Sequence, residues 1–327
     1  MKAIQISRTG GPEVLERVDL PTPKPGPGEV LVRAEAIGVH YFDMLIRSGK
    51  YRWMPKLPFV LGNDMCGTVV ETCGKLNVGQ PVFIAGWDIG FRGGLYAEYV
   101  AVPEDNIWPL PKNIDLDDAA ALSNYALAWT LLHRVARGIE PRNALVYGAA
   151  GGMGTALLDI ARLAGANVIA LAGSENKCAF VRERKVTHVI NHKTENAVER
   201  VNVVTNGRGA DIIFNHVAGK TFADDLKMIA PLGLIVNYAV LGGMPETDLF
   251  KDMRANINRS PALRCFTMHT SDALPELRSE GMKKAIEYLA AKKISPAIGA
   301  RFALSDAARA HELLESRKAM GKVILKP

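Results

Sequence analysis

The sequence predicts an α/β protein of two domains, a mostly-β domain joined to a doubly wound parallel sheet, and three observations carry that prediction. At 327 residues the chain is long enough for about two domains, each with its own core. Apolar residues alternate with a period of two near the start. From residue 143 onward, short β-like runs alternate with helical segments, which is the pattern of βαβ units.

The first third reads as strands and turns. Pro21, Pro23, Pro25, Gly26, Pro27 and Gly28 make a rigid turn-rich stretch. After it, Val30, Val32, Ala34 and Ala36 alternate with Leu31, Arg33 and Glu35, as in a half-buried strand. Further short apolar runs lie at 68–71, 81–85 and 96–102, so residues up to about 120 form the mostly-β domain. From residue 117 the chain turns Ala- and Leu-rich, and β-like runs then recur at 144–147, 168–172, 188–191, 212–216 and 234–240. Past about residue 264 come a helix at 282–292, an amphipathic helix near 305–316 and a last strand at 322–325. This tail is expected to rejoin the first domain, giving one domain of 1–122 and 265–327 and another of 123–264.

Composition excludes several classes. With 48% hydrophobic and 23% charged residues and a net charge of +6, the chain is neither disordered nor fibrous. The four cysteines, Cys66, Cys73, Cys178 and Cys265, form no CxxC pair and fit a reducing compartment. The first twenty residues carry no continuous apolar segment, and no run of about eighteen apolar residues occurs, so a cytoplasmic protein without membrane contact is expected. The basic groups Arg182, Arg184, Lys185, Lys283, Lys284, Lys292 and Lys293 are interspersed with Glu183, Glu280 and Glu287. That spacing describes a solvated helical face better than an RNA surface.

The strongest local signal is Ala144-Leu145-Val146-Tyr147 followed by Gly148-Ala149-Ala150-Gly151-Gly152-Met153-Gly154, with Leu157, Ile160 and Ala164 at helical spacing behind. A strand, a glycine turn and a helix in that order bind a dinucleotide pyrophosphate on the free N–H groups of Ala150, Gly151, Gly152, Met153 and Gly154. Gly151 allows close approach of the phosphate, and Gly154 allows the helix to pack on the strand. The next strand ends Leu171-Ala172-Gly173-Ser174, without the carboxylate that holds an NAD ribose. Ser174, Lys177 and His192 instead suit the 2′-phosphate of NADPH. Glu175 argues for NADH, and Ser174 has a plainer reading as a helix cap, with Lys177 a surface charge.

These residues resemble the medium-chain dehydrogenase/reductase superfamily, in its zinc-independent quinone oxidoreductase (zeta-crystallin-like) branch. The resemblance spans the whole chain. It rests on Gly38-Val39-His40-Tyr41-Phe42-Asp43, Ile46-Arg47-Ser48-Gly49-Lys50-Tyr51, Gly93-Gly94-Leu95-Tyr96-Ala97-Glu98-Tyr99-Val100, the glycine loop, and Gly321-Lys322-Val323-Ile324-Leu325. It implies a GroES-like catalytic domain built from both chain ends, an inserted Rossmann domain, NADPH as cofactor, and a homodimer or homotetramer. The zinc enzymes of the superfamily would carry Cys at His40, a His-Glu pair at Asn63 and Asp64, and Cys near Asn124, so no metal is expected here.

The resemblance further implies reduction of a quinone or enone, the enone route being saturation of an α,β-unsaturated C=C bond. His40, where the branch usually has Asn, and Tyr51 are the candidates at the acceptor. An imidazole there can pass a proton or simply fill the same hydrogen-bonding space, and a turn tyrosine can line the acceptor site or pack by its ring. Val217, Tyr238 and Ala239 follow as cofactor contacts at the carboxyl edge of the sheet, with Arg317 reaching the phosphates or carboxamide. A cofactor-binding structural or RNA-binding protein is the reading from another class.

Overall fold

The computed structural model describes residues 1–89 and 93–327. They form two units, Met1–Ser123 with Ile286–Pro327, and Asn124–Ala285. The first unit begins with β1 Lys2–Ile6, β2 Glu16–Asp19, β3 Glu29–Gly38, helix α1 Tyr41–Arg47, β4 Phe59–Val60, β5 Asp64–Thr72, β6 Pro81–Ala85, β7 Tyr99–Pro103 and β8 Trp108–Pro109. The second unit carries β9 Asn143–Val146, α2 Gly152–Leu163, β10 Asn167–Ala172, α3 Glu175–Arg182, β11 His188–Asn191, β12 Ala210–Asn215, α4 Phe222–Met228, β13 Ile229–Asn237 and β14 Ala262–Cys265. The chain returns to the first unit through β15 Ile298–Ala303, α5 Ala307–Glu315 and β16 Lys322–Lys326.

The main sheet of the first unit runs β15-β16-β3-β5-β6-β8, with β7 also paired to β3. Val30, Val32, Met65, Val69, Val82, Ile84 and Leu325 form one buried cluster there. The register aligns Ile324 with Gly38, and Gly38 with Asp64. Three strand ends therefore meet at one edge of the sheet, and His40, Asp64 and Lys322 lie within two residues of that line.

The second unit is an all-parallel sheet in the order β11-β10-β9-β12-β13-β14. Strand order reverses between β9 and β12, and ligands of open α/β sheets bind beyond the strand carboxyl ends at such a switch point. Leu145, Ile169, Ile190, Ile213 and Ile235 from five adjacent strands share a buried cluster. These near-continuous apolar strands are what two-sided burial requires.

Two features differ from the sequence expectation. β14 has four mostly exposed residues at the sheet edge, too short and too polar in environment to produce a periodic signal. The second unit also runs on to Ala285 instead of ending at Arg264. Its extra segment is held by close packing: Thr130 Oγ1 donates to the carbonyl of Leu277 at 3.1 Å. A Cβ on Gly281 would sit 2.6 Å from the Ala126 carbonyl oxygen. Gly281→Ala is thus expected to cost about 1–3 kcal/mol through overpacking, read as a lower urea midpoint.

Candidate active site

The glycine loop follows β9 at the switch point. Gly148 has φ +56°, and a Cβ there would lie 2.5 Å from Cε1 of His216, so both backbone and space demand glycine. A Cβ on Gly154 would fall 2.3 Å from the Gly148 carbonyl oxygen, which explains the close helix–strand approach. Around Gly151 only that oxygen comes within 4 Å, at 3.4 Å. Gly151 caps α2 with extended backbone, leaving Gly152, Met153 and Gly154 in the first turn with N–H groups that lack helical partners. Such a terminus is a ready anion site.

Beside it, the ends of β10 and β11 gather Gly173, Ser174, Lys177 and His192. A Cβ on Gly173 would lie 3.0 Å from His192 Nε2, and the His192 N–H donates to Ala172 O at 3.1 Å. Burial, with Lys193 and Lys177 nearby, lowers the pKa of His192, so this ring is neutral at neutral pH. Ser174 does cap α3, its Oγ accepting from the Lys177 N–H at 3.4 Å. A hydroxyl retains a donor and a second lone pair while capping, so the two readings of Ser174 coexist. The Glu175 carboxylate is taken by Arg182 at 2.5 Å. Arg184 likewise donates to Asp159 at 2.8 Å.

The loop after β12 is set by Asn215. Its Oδ1 accepts from Val217 N at 2.8 Å and Ala218 N at 3.0 Å, while Nδ2 donates to Asp225 Oδ2 at 2.5 Å. Tyr147 donates to the other Asp225 oxygen at 2.7 Å. The carboxyl of Asp225 calls for an amide N–H at 215, which a carboxylate there would not supply. Tyr238 lies against His216, with its hydroxyl 3.3 Å from Nδ1, and Ala239 accepts from Asn237 Nδ2 at 2.8 Å. Arg264 donates to the carbonyl of Val135 and is thereby structural. Arg317 belongs to the first unit.

In the first unit His40 is the N-cap of α1, and its backbone N–H donates to Asp43 Oδ2 at 2.9 Å. His40 Nε2 is held against Asp64 Oδ2, and Lys322 Nζ reaches the same ring nitrogen at 2.7 Å. Ser123 Oγ donates to the other Asp64 oxygen at 2.7 Å. Burial would raise Asp64, but His40 and Lys322 outweigh it and hold the carboxyl below its usual range. Burial lowers Lys322, with Asp64 opposing.

A second arm runs from Asp43, which burial raises, to the Tyr96 hydroxyl at 3.1 Å and on to His311 Nε2 at 3.1 Å. Because Tyr96 donates to Asp43, its oxygen accepts from a neutral His311. Burial and Arg47 push His311 down to about 3, in agreement. Tyr51 stacks edge-on with Phe42 at 4.5 Å and packs near Trp53 at 5.6 Å.

Sequence reasoning singled out His40 but gave no role to Lys322, Tyr96 and His311. A lysine opening the strand Lys322–Lys326, ahead of Val323, Ile324 and Leu325, was the available signal. These residues do not fit a zinc ion: the position beside His40 Nε2 is filled by an ammonium, and no thiolate accompanies it. Among the described residues no group of three or more His, Cys, Asp or Glu is arranged to hold a metal.

Asp225 has a measurable consequence. Burial raises its carboxyl to about 7. The folded-state value exceeds the unfolded one, so its contribution is fully present below about pH 4 and lost as pH rises through about 7. Between urea melts at about pH 5.5 and about pH 8, the wild type should lose stability that Asp225→Asn does not, on the order of 2 kcal/mol.

Comparison with known proteins agrees with this geometry. Residues 26–112 match the alcohol dehydrogenase GroES-like domain, and residues 152–283 match the family described as zinc-binding dehydrogenase. A quinone oxidoreductase of Rattus norvegicus is 31% identical over 99% of this chain and 97% of that protein. One from Pseudomonas aeruginosa is 32% identical over 100% of this chain and 99% of its own. The structure of Escherichia coli quinone oxidoreductase complexed with NADPH superposes with a TM-score of 0.87 at 27% identity, covering 100% of both chains. The chain therefore belongs to the zinc-independent quinone oxidoreductase branch of the medium-chain dehydrogenase/reductase superfamily.

Proposed function

We propose that this protein is an NADPH-dependent reductase of quinone-type acceptors that works without zinc. The observation that carries it is the pairing of a glycine cradle at the switch point with a cationic, carboxylate-free group of Ser174, Lys177 and His192 at the end of the next strand. NADPH, when bound, supplies a hydride to the acceptor. The N–H groups of Ala150, Gly151, Gly152, Met153 and Gly154 hold its pyrophosphate, and Ser174, Lys177 and His192 hold its 2′-phosphate. Val217, Tyr238 and Ala239 border the nicotinamide end, and Arg317 adds a charge for the cofactor. His40 handles the proton that the reduced acceptor needs, and Tyr51, in its aromatic cluster, lines the acceptor's place.

The protein acts as a homodimer in the cytoplasm. Supporting the dimer, β14 ends its sheet, and Leu232 and Phe250 are each 76% exposed on the same unit. Supporting the compartment, all four cysteines are free thiols, and among the described residues no helix is long and apolar enough to cross a membrane.

Steady-state oxidation of NADPH and NADH by EDTA-treated protein, against a panel of quinones and enones, tests the reading. NADPH-selective quinone turnover is expected. Saturation of enones alone would move the activity to C=C reduction. Lys177→Ala should raise KM for NADPH about tenfold and leave that for NADH nearly unchanged, since one charge-assisted contact to the 2′-phosphate is removed.

A further inference from the structure

At neutral pH His192 is an uncharged ring in the place read as holding a 2′-phosphate, a group with close to two negative charges. The residue follows β11 directly and is exposed, so solvent can supply it with protons. Its backbone N–H donates to Ala172 O at 3.1 Å, which ties it to the end of β10 beside Gly173. A Cβ at 173 would stand 3.0 Å from Nε2 and 3.4 Å from Cε1. A bare glycine thus keeps one nitrogen edge of the ring clear, next to the Ser174 hydroxyl that caps α3.

The surroundings of the ring disfavour an imidazolium. Partial desolvation and two cations, Lys193 beside it and Lys177 on α3, work against the charged form, and only a contact with its own backbone works for it. The acids close in sequence are turned to other partners. Glu175, on the same helix as Lys177, pairs with Arg182 two turns further on at 2.5 Å. Glu195, in the loop after β11, accepts from the Asn191 N–H at 2.8 Å and pairs with Arg200 at 3.0 Å. A phosphate against Nε2 reverses this balance, because its charge favours the protonated ring and offsets both lysines.

We propose that His192 takes up a solvent proton as the 2′-phosphate binds, so that the preference for NADPH over NADH falls as pH rises above neutral. This rests on the reading that Ser174, Lys177 and His192 receive that phosphate. The new N–H bond forms at the ring, and the imidazolium donates to a phosphate oxygen. NADH brings an uncharged hydroxyl to the same place and leaves the ring neutral. A group that holds its proton more tightly in the complex than in the free protein strengthens binding at low pH, and that gain fades as pH rises through its value in the complex. The second ionisation of the phosphate, near pH 6, acts in the opposite direction and is nearly complete by about pH 7. The decline above about pH 7 therefore belongs to the protein.

Calorimetric titration with NADPH and with NADH, in buffers of different ionisation enthalpy, counts the protons taken up. At about pH 7 the wild type should bind a large fraction of one proton with NADPH and none with NADH. Its Kd for NADPH should rise about fivefold between about pH 7 and about pH 8.5, while that for NADH stays level. His192→Gln should bind NADPH without proton uptake and with a level Kd, and His192→Lys should keep tight NADPH binding, also without uptake. The proton resonance at Cε1 of His192, identified by its loss in His192→Gln, should move to its imidazolium position on adding NADPH or 2′-AMP and stay in place with 5′-AMP. A ring that remains neutral with NADPH bound, or equal proton uptake in wild type and His192→Gln, overturns the proposal and leaves the phosphate site standing. NADPH that binds no tighter than NADH at any pH defeats the phosphate-site reading itself, and the proposal falls with it.

Discussion

Charge buried in pairs is the constraint around which the first unit is organised. Asp64 and Lys322 are almost fully enclosed, and neither would be tolerated there without the other. Their pairing requires β3, β5 and β16 to end level, requires a residue without a side chain at 38, and requires Ser123 to satisfy the second carboxylate oxygen. Hydrophobic burial holds the sheet together, but it would accept other registers of equal apolar content. The ion pair accepts one.

The second unit solves a different problem with a similar economy of means. Its phosphate cradle is backbone, so specificity for a charged ligand comes from where glycine is obligatory. Gly148 makes room for the ring of His216, and Gly154 makes room for the Gly148 carbonyl. Behind the cradle, Tyr147, Asn215 and Asp225 tie β9, β12 and α4 through hydrogen bonds that give each oxygen of the buried carboxyl a donor. The loop carrying Val217 is fixed by the same asparagine, so its geometry is coupled to a proton held well inside the protein.

Much of this was legible from the residues. The runs at 81–85 and 188–191 coincide with strands: the first is buried along nearly its whole length, and the second is a short apolar run whose last two residues are buried. The glycine loop announced itself through local spacing alone. What escaped was non-local or exposed. Lys322 and His40 are 282 residues apart, and nothing in a lysine's own neighbourhood marks it as buried. β14 is a short edge strand whose membership in the sheet depends on β13 and not on its own pattern. Asn215 owes its role to the facing Asp225, which lies on a helix beyond the reach of any local pattern.

The pairing of β16 with β3 also orders events during synthesis. Residues 124–285 emerge from the ribosome with all six of their parallel strands and can close their own core at once. The first unit emerges earlier but must wait, since β3 lacks β16 and Asp64 lacks its lysine until residues 322–326 have been made. A unit begun before the other is thus finished after it, and the nascent chain carries an unneutralised carboxylate and an open strand edge while residues 124–285 are made.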